Sequence, residues 1–311
     1  MNAVLAHVAG GSLEPVQPLA AGLAAAAYLL RTRHLAAEGR PVSRWRQVSL
    51  YSGLVTVVAA LTSPIGHLAG ELLLAHMIEH LLIADIGALL IVLGLTGPVL
   101  QPILRIRVID RLRVLAHPAV ALPIWALNLY VWHLPVLYEA ALRSDSVHAL
   151  EHLLFIVTGV NMWMPLFGPL PLPRWFGNLA KVGYIVAVRL TGALLGNIFV
   201  WSGSDFYSYY APGESYWGIS ALRDQGIAGS VMMIEGSFLT IGLFAWLLLK
   251  SAKESDERQE LLDYASAHGL SLSEERAGRA VAAGQGTLLR RRLEESAQTV
   301  VPDRGQGDAL G

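Results

Sequence analysis

Two pentapeptides carry the residues best suited to chemistry: HMIEH at 76–80 and HALEH at 148–152. At 3.6 residues per turn, His76, Glu79 and His80 fall within about 100° of arc, and so do His148, Glu151 and His152. Each pentapeptide thus presents two imidazoles and a carboxylate on one helical face, and both lie in apolar sequence. A further histidine, His133 in YVWHLP, stands in a third apolar stretch. Imidazole and carboxylate are metal ligands, and an ionised group at mid-bilayer costs about 2.5 to 3.5 kcal/mol even on the lenient insertion scale. A single intramembrane histidine reads as a helix-to-helix hydrogen bond; five on neighbouring spans read as a metal site. The candidate ligands are His76, His80, His133, His148 and His152, with Glu79, Glu151, Met77 and the Asp224 of RDQG beside them.

The elements that must position them follow from composition. The chain has 311 residues, 54% hydrophobic and only 15% charged, the usage of an integral membrane protein. A hydrocarbon core about 30 Å thick takes roughly 20 residues of helix, and seven stretches approach that length. They lie at 17–33, 46–62, 68–95, 115–141, 146–167, 178–202 and 219–249, which predicts an all-α, polytopic membrane helix bundle. Lys and Arg collect in alternate connections: Arg31, Arg33, Arg40, Arg44 and Arg46, then Arg105, Arg107, Arg111 and Arg113, then Arg174 and Lys181. The other connections carry only Arg143 and Arg223. This bias predicts the N-terminus outside and the C-terminus cytoplasmic, in the inner (cytoplasmic) membrane. The sequence MNAVLAHVAGGSLEP has no basic region ahead of its first apolar run, so no cleaved signal peptide is expected. After Lys250 the chain turns polar, which divides it into a transmembrane domain, 1–250, and a cytoplasmic tail, 251–311, helical and then disordered.

This topology brings the histidines to one depth. The third span, as one helix of about 28 residues and some 42 Å, overshoots the bilayer at its outer end, which carries His76 and His80. His148 and His152 lie in the first turns of the fifth span. His133 sits roughly 13 Å from the outer end of the fourth span, where Pro135 should kink the helix. Asp224 opens the seventh span on the same side. His67, Glu71 and Asp85 occupy the opposite face of the third span and read as glue between helices. Buried Arg189 and Glu235 read as a mutual pair, and TGALLGN at 191–197 as close helix packing around Asn197. His7, His34, His117 and His268 fall in ends or loops. Met162, Met164, Met232 and Met233 are thioethers for Cu(I) or core filler.

With no cysteine, a metal site must use His, Met, Asp or Glu, and that inventory fits copper. The HxxEH spacing also matches zinc proteases, but two copies do not make one zinc site with an open position. Histidines on different spans can clamp a haem, so an intramembrane metalloenzyme or haem-binding redox protein stays open at this point. A metal transporter would need polar groups continuing inward, for which Asp85, Met162 and Met164 are the hints. Nothing in the charge pattern implies nucleic acid.

The strings AHMIEHLLIADIGALLIVLGLTGPVL, YVWHLPVLYEAAL, HALEHLLFIVTGVNMWMPLFGP and ALRDQGIAGSVMMIEG resemble the CtaG family of integral-membrane cytochrome c oxidase assembly factors, over about residues 50–250. The resemblance implies a non-enzymatic chaperone of the respiratory chain that matures a haem-copper oxidase, through copper supply. It implies oxidase subunits and other copper chaperones as partners within the lipid bilayer. The matching positions are His76, His80, His133, His148, His152 and Asp224.

Overall fold

The computed structural model describes residues 16–300, all helix, turn and loop, with no strand among them. His7 and the last eleven residues, read above as a loop histidine and a disordered end, lie outside the described residues. Two compact units divide at Thr240 and Ile241.

The first unit begins with α1 (Val16–Ala37) and α2 (Arg44–Thr62), at the places expected for the first two spans. Proline then sets several helix starts, where its missing N–H costs nothing: α3 (Pro64–Leu68), α5 (Gly97–Leu104, with Pro98), α7 (Pro118–Trp132) and α8 (Pro135–Arg143). Between α3 and α5 runs α4 (Leu73–Gly94). A short α6 (Arg107–Leu112) and a 3-10 turn to Ala116 precede α7, bent from it by 79°. The remaining helices are α9 (Asp145–Phe167), α10 (Asn178–Trp201), α11 (Ala211–Trp217) and α12 (Ala221–Ala267). Among the described residues four helices, α4, α9, α10 and α12, are long and apolar enough to cross a membrane, and five if the bent pair counts as one span.

Two spans differ from expectation. The third does not start at residue 68 or reach 42 Å: the chain turns through Ala69, Gly70 and Glu71, and α4 begins at Leu73, giving 22 residues and about 33 Å. The turn is closed by Gly70 N–H to His67 O and Leu72 N–H to Leu68 O, and Gly213 of α11 lies so close to the Glu71 carbonyl that a methyl group there would collide with it. Because of this break His76 stands in the first turn of its helix. The fourth span is not one kinked helix over 115–141. It stops at Trp132, His133 occupies the break, and Pro135 starts a separate helix, since proline cannot donate the N–H that continuation requires.

Close backbone approach ties α4 to its neighbours. Gly159 of α9 faces the Ala84 backbone with no room for a β-carbon, and Gly53 of α2 meets Gly87 and Ile91 in the same way. Such small-residue contacts drive helix association where lipid removes the hydrophobic difference. Arg46 donates to the carbonyls of Leu93 and Leu95, so its guanidinium satisfies carbonyls at the C-terminal end of α4, and Arg31 donates to that of Pro98 in the first turn of α5. Within α4 residues Leu81–Gly87 are π-helical, a local widening frequent at functional sites.

The second unit begins inside α12, which passes Lys250 unbroken, and adds α13 (Glu274–Ala282) and α14 (Gly286–Val300). Leu261, Ala265, Val281, Leu289 and Leu293 form its apolar core, and the Arg290 guanidinium lies 3.7 Å from the Tyr264 ring centre. The second unit therefore packs three helical segments, the end of α12, α13 and α14, around a core of its own.

Candidate metal centre

The first two turns of α4 carry His76, Met77, Glu79 and His80; the first two of α9 carry His148, Glu151 and His152; the break after α7 supplies His133. The structure brings all eight together. Adjacent imidazole centroids are 4.1 Å apart for His148 and His152, 4.3 Å for His76 and His80, 5.4 Å for His76 and His148, 5.6 Å for His80 and His152, and 6.2 Å for His80 and His133. His148 is half-buried, the others buried, His76 and Glu151 with 0% of their surface accessible.

Donor separations suit an ion. The Nε2 atoms of His76 and His80 are 2.9 Å apart, and Glu151 oxygens lie 3.9 and 3.8 Å from them respectively. The Nε2 of His152 is 3.5 Å from Glu79 Oε2. Donors bound at about 2.1 Å stand about 3.0 Å apart at a right angle and about 3.4 Å at the tetrahedral angle. Among the described residues, two groups have donor atoms within 4.8 Å of one another and could hold an ion: His76, Glu79, His148 and His152, and His76, His80 and Glu151.

Seven of these buried polar atoms find no protein hydrogen-bond partner: Glu79 Oε2, His80 Nδ1, His148 Nε2, both Glu151 oxygens and both His152 nitrogens. Buried polar groups are otherwise nearly always satisfied, so their concentration here points to a ligand. The surrounding contacts aim lone pairs inward. His133 Nδ1 is 2.7 Å from the Leu129 carbonyl, which can only accept, so the proton sits on Nδ1 and Nε2 is free, 3.4 Å from Met77 Sδ. Tyr210 donates to the Ala69 carbonyl and accepts from His76 Nδ1 at 3.1 Å and from Tyr138 at 2.9 Å, which frees His76 Nε2. Tyr207 donates to the His133 carbonyl at 2.8 Å. These three tyrosines were not among the residues singled out from sequence; Tyr207 and Tyr210 come from the aperiodic FYSYYAPGESYW connection.

Asp224 is placed differently from the other eight. Its two carboxylate oxygens accept from Leu73 N–H at 2.7 Å and Leu74 N–H at 3.0 Å, so it caps the helix that carries His76 and His80. Its neighbour Gln225 accepts from Phe206 N–H and donates to the carbonyls of Phe199 and Ser204, holding the tyrosine-bearing connection. Near them, outside the spans, burial and the charges of Asp205 and Asp224 push the Glu214 carboxyl up to about 7.

A second polar cluster lies further along α4. Arg189 makes a two-pronged pair with Asp85, at 2.8 and 3.0 Å, and stands 3.6 Å from Glu235. The pairing expected for Arg189 and Glu235 is thus present, with Asp85 as the closer partner. The indole N–H of Trp163 donates to the Asp85 carbonyl, and the guanidinium lies 5.1 Å from the Trp163 ring centre. Glu71 accepts from the Trp217 indole at 2.7 Å. The Met162 carbonyl accepts from Tyr184, and Met233 Sδ accepts from Asn197 and packs on Gly196, which itself abuts Gly229. These methionines have helix-packing contacts; the sulfur of Met77 meets an imidazole.

Comparison with known proteins adds the family. No curated protein and no solved structure matches the chain. The family model described as cytochrome c oxidase caa3 assembly factor (Caa3_CtaG) matches residues 26–254, which include both HxxEH segments, the histidine break, the Asp224 cap and the Arg189–Asp85 charge cluster. The chain belongs to the cytochrome c oxidase caa3 assembly factor family.

Proposed function

We propose that this chain binds copper among His76, His80, His133, His148 and His152 and supplies it to a haem-copper oxidase during assembly. The observation that carries the reading is the group of buried imidazole and carboxylate atoms lacking protein partners at ligand-to-ligand distances. Copper suits the donors: imidazole serves either oxidation state, and Met77 Sδ beside His133 Nε2 adds the soft contact that Cu(I) prefers. The trans imidazoles of one haem iron must stand about 4 Å apart, so the 2.9 Å between the His76 and His80 nitrogens does not favour haem there.

In this reading residues 1–250 form seven spans in the inner membrane, N-terminus outside, with α1 and α2 as the first two and the bent α6–α7 segment within the fourth. The arginines at the C-terminal end of α4 then face the cytoplasm and the copper site faces outward, where oxidase subunits and other copper chaperones exchange the ion. The tail, 251–311, is cytoplasmic. The role is that of a carrier with copper as cargo, not of an enzyme.

The test is made in cells lacking the chain. Wild-type protein purified from copper-replete cells contains copper and restores a copper-loaded oxidase; the H76A/H80A variant inserts in the membrane but leaves the oxidase copper-deficient. Absence of copper from the wild-type protein, or full restoration by the variant, defeats the reading.

A further inference from the structure

The two HxxEH segments raise a question that a single ion does not answer: why each supplies a glutamate as well as its histidine pair. The contacts cross between helices. His76 and His80 of α4 approach Glu151 of α9, at 3.9 and 3.8 Å, whereas His152 of α9 approaches Glu79 of α4, at 3.5 Å. We infer that the cluster holds two copper ions, each gripped by the histidine pair of one helix and the glutamate of the other, so that the segments exchange carboxylates. The inference rests on the copper reading above and deepens it.

Three observations support two positions. First, eight donor groups meet here, five imidazoles, two carboxylates and a thioether, whereas one copper ion takes about four. Second, His76 lies within reach of both ligand groups but has one lone pair to give, because Tyr210 holds its Nδ1; that lone pair is 2.9 Å from His80 Nε2, which assigns His76 to the ion of His80 and Glu151. His148, His152 and Glu79 remain as a second set of the same composition. Third, both Glu151 oxygens and Glu79 Oε2 lack protein hydrogen bonds and are buried, as coordinating oxygens would be. His133 and Met77 stand beside His80 as further donors.

Charge sets the oxidation state. Coordinating imidazoles are neutral, so each set carries one negative charge. One Cu(I) per set leaves the buried centre neutral, the favoured condition at membrane depth. Two divalent ions would leave two positive charges there.

The experiment uses the full chain in detergent or lipid nanodiscs, loaded anaerobically with Cu(I) and titrated with a chromophoric Cu(I) chelator. Two equivalents are expected for the wild type and one each for H76A/H80A and H148A/H152A. Glu→Gln changes then test the exchange, since they keep side-chain shape and fold. E151Q should weaken the copper left in H148A/H152A at least about tenfold and leave that in H76A/H80A unchanged; E79Q should do the reverse. Each glutamate acting on the copper of its own segment overturns the exchange. One wild-type equivalent, abolished by either histidine pair, overturns the two-ion centre and spares the copper reading. No bound copper at all defeats both.

Discussion

Removal of the Asp224 carboxylate tests whether a group that need not touch the metal governs the metal site. Asp224 is wholly buried and accepts two backbone N–H bonds at 2.7 and 3.0 Å from the first residues of α4. Hydrogen bonds to a charged partner contribute about 1.5 to 3 kcal/mol each, and a buried N–H left alone costs about 1 to 3 kcal/mol. Both bonds end on one carboxylate, so their effects overlap, and D224A should destabilise the protein by about 3 kcal/mol. D224N keeps one carbonyl oxygen and should lose about half as much. His76 stands in the same first turn as the capped residues, and loosening that turn should weaken copper binding on the order of 10- to 100-fold, as loss of an outer-shell contact does. Unfolding of the metal-free protein in detergent, followed by tryptophan fluorescence, measures the first quantity, and Cu(I) competition the second. Loss of copper affinity with no loss of metal-free stability would refute the capping account and return Asp224 to the ligand set.

Four further outcomes follow from other contacts. R189M strands the Asp85 carboxylate and should cost about 3 to 5 kcal/mol, while D85N/R189M recovers most of it; an additive double-mutant cycle would show that the pair is not coupled. G159A places a methyl group against the Ala84 backbone and should cost about 1 to 3 kcal/mol, read by thermal unfolding. Y210F removes the acceptor for His76 Nδ1 and should lower Cu(I) affinity by on the order of tenfold, and by leaving the buried Tyr138 hydroxyl without its acceptor should cost about 1 to 3 kcal/mol of stability; unchanged affinity argues against that orientation of the imidazole. Glu214 binds its proton more tightly folded than unfolded, because its value rises from the ordinary 4.5 to about 7. Its contribution is therefore most favourable below about pH 4.5 and declines as pH rises through 7, and E214Q should flatten that part of a stability-against-pH curve.

What could be read from sequence, and what could not, divides along physical lines. Periodicity placed His76 with His80 and His148 with His152 on common faces, because spacing of four on a helix depends on nothing distant. Composition likewise placed the helices of α4, α9 and α10. The break at Ala69–Leu72 has no local signature, because Gly70 and Glu71 sit within a largely apolar run and the tight contact of the Glu71 carbonyl is with Gly213, far along the sequence. The capping by Asp224 joins residues 151 and 150 positions apart, so no local pattern announces it. Tyr207 and Tyr210 belong to a connection without regular spacing, and the π-helical stretch of α4 has no composition that marks it out. Pro135 gave warning of a disturbance near His133, but a kink and a full stop require the same residue.

The contact of Gly159 with Ala84 acts as a fulcrum. Backbones that touch there keep α4 and α9 from sliding closer, while His76 lies eight residues away along one arm and His148 eleven along the other, about 12 and 17 Å by helical rise. Rocking the shorter arm by about 10° would move His76 by roughly 2 Å, and the longer arm His148 by roughly 3 Å, against about 2 Å for a metal–nitrogen bond. A tilt of that size about the Gly159–Ala84 contact would be enough to part the donor sets of the proposed copper site.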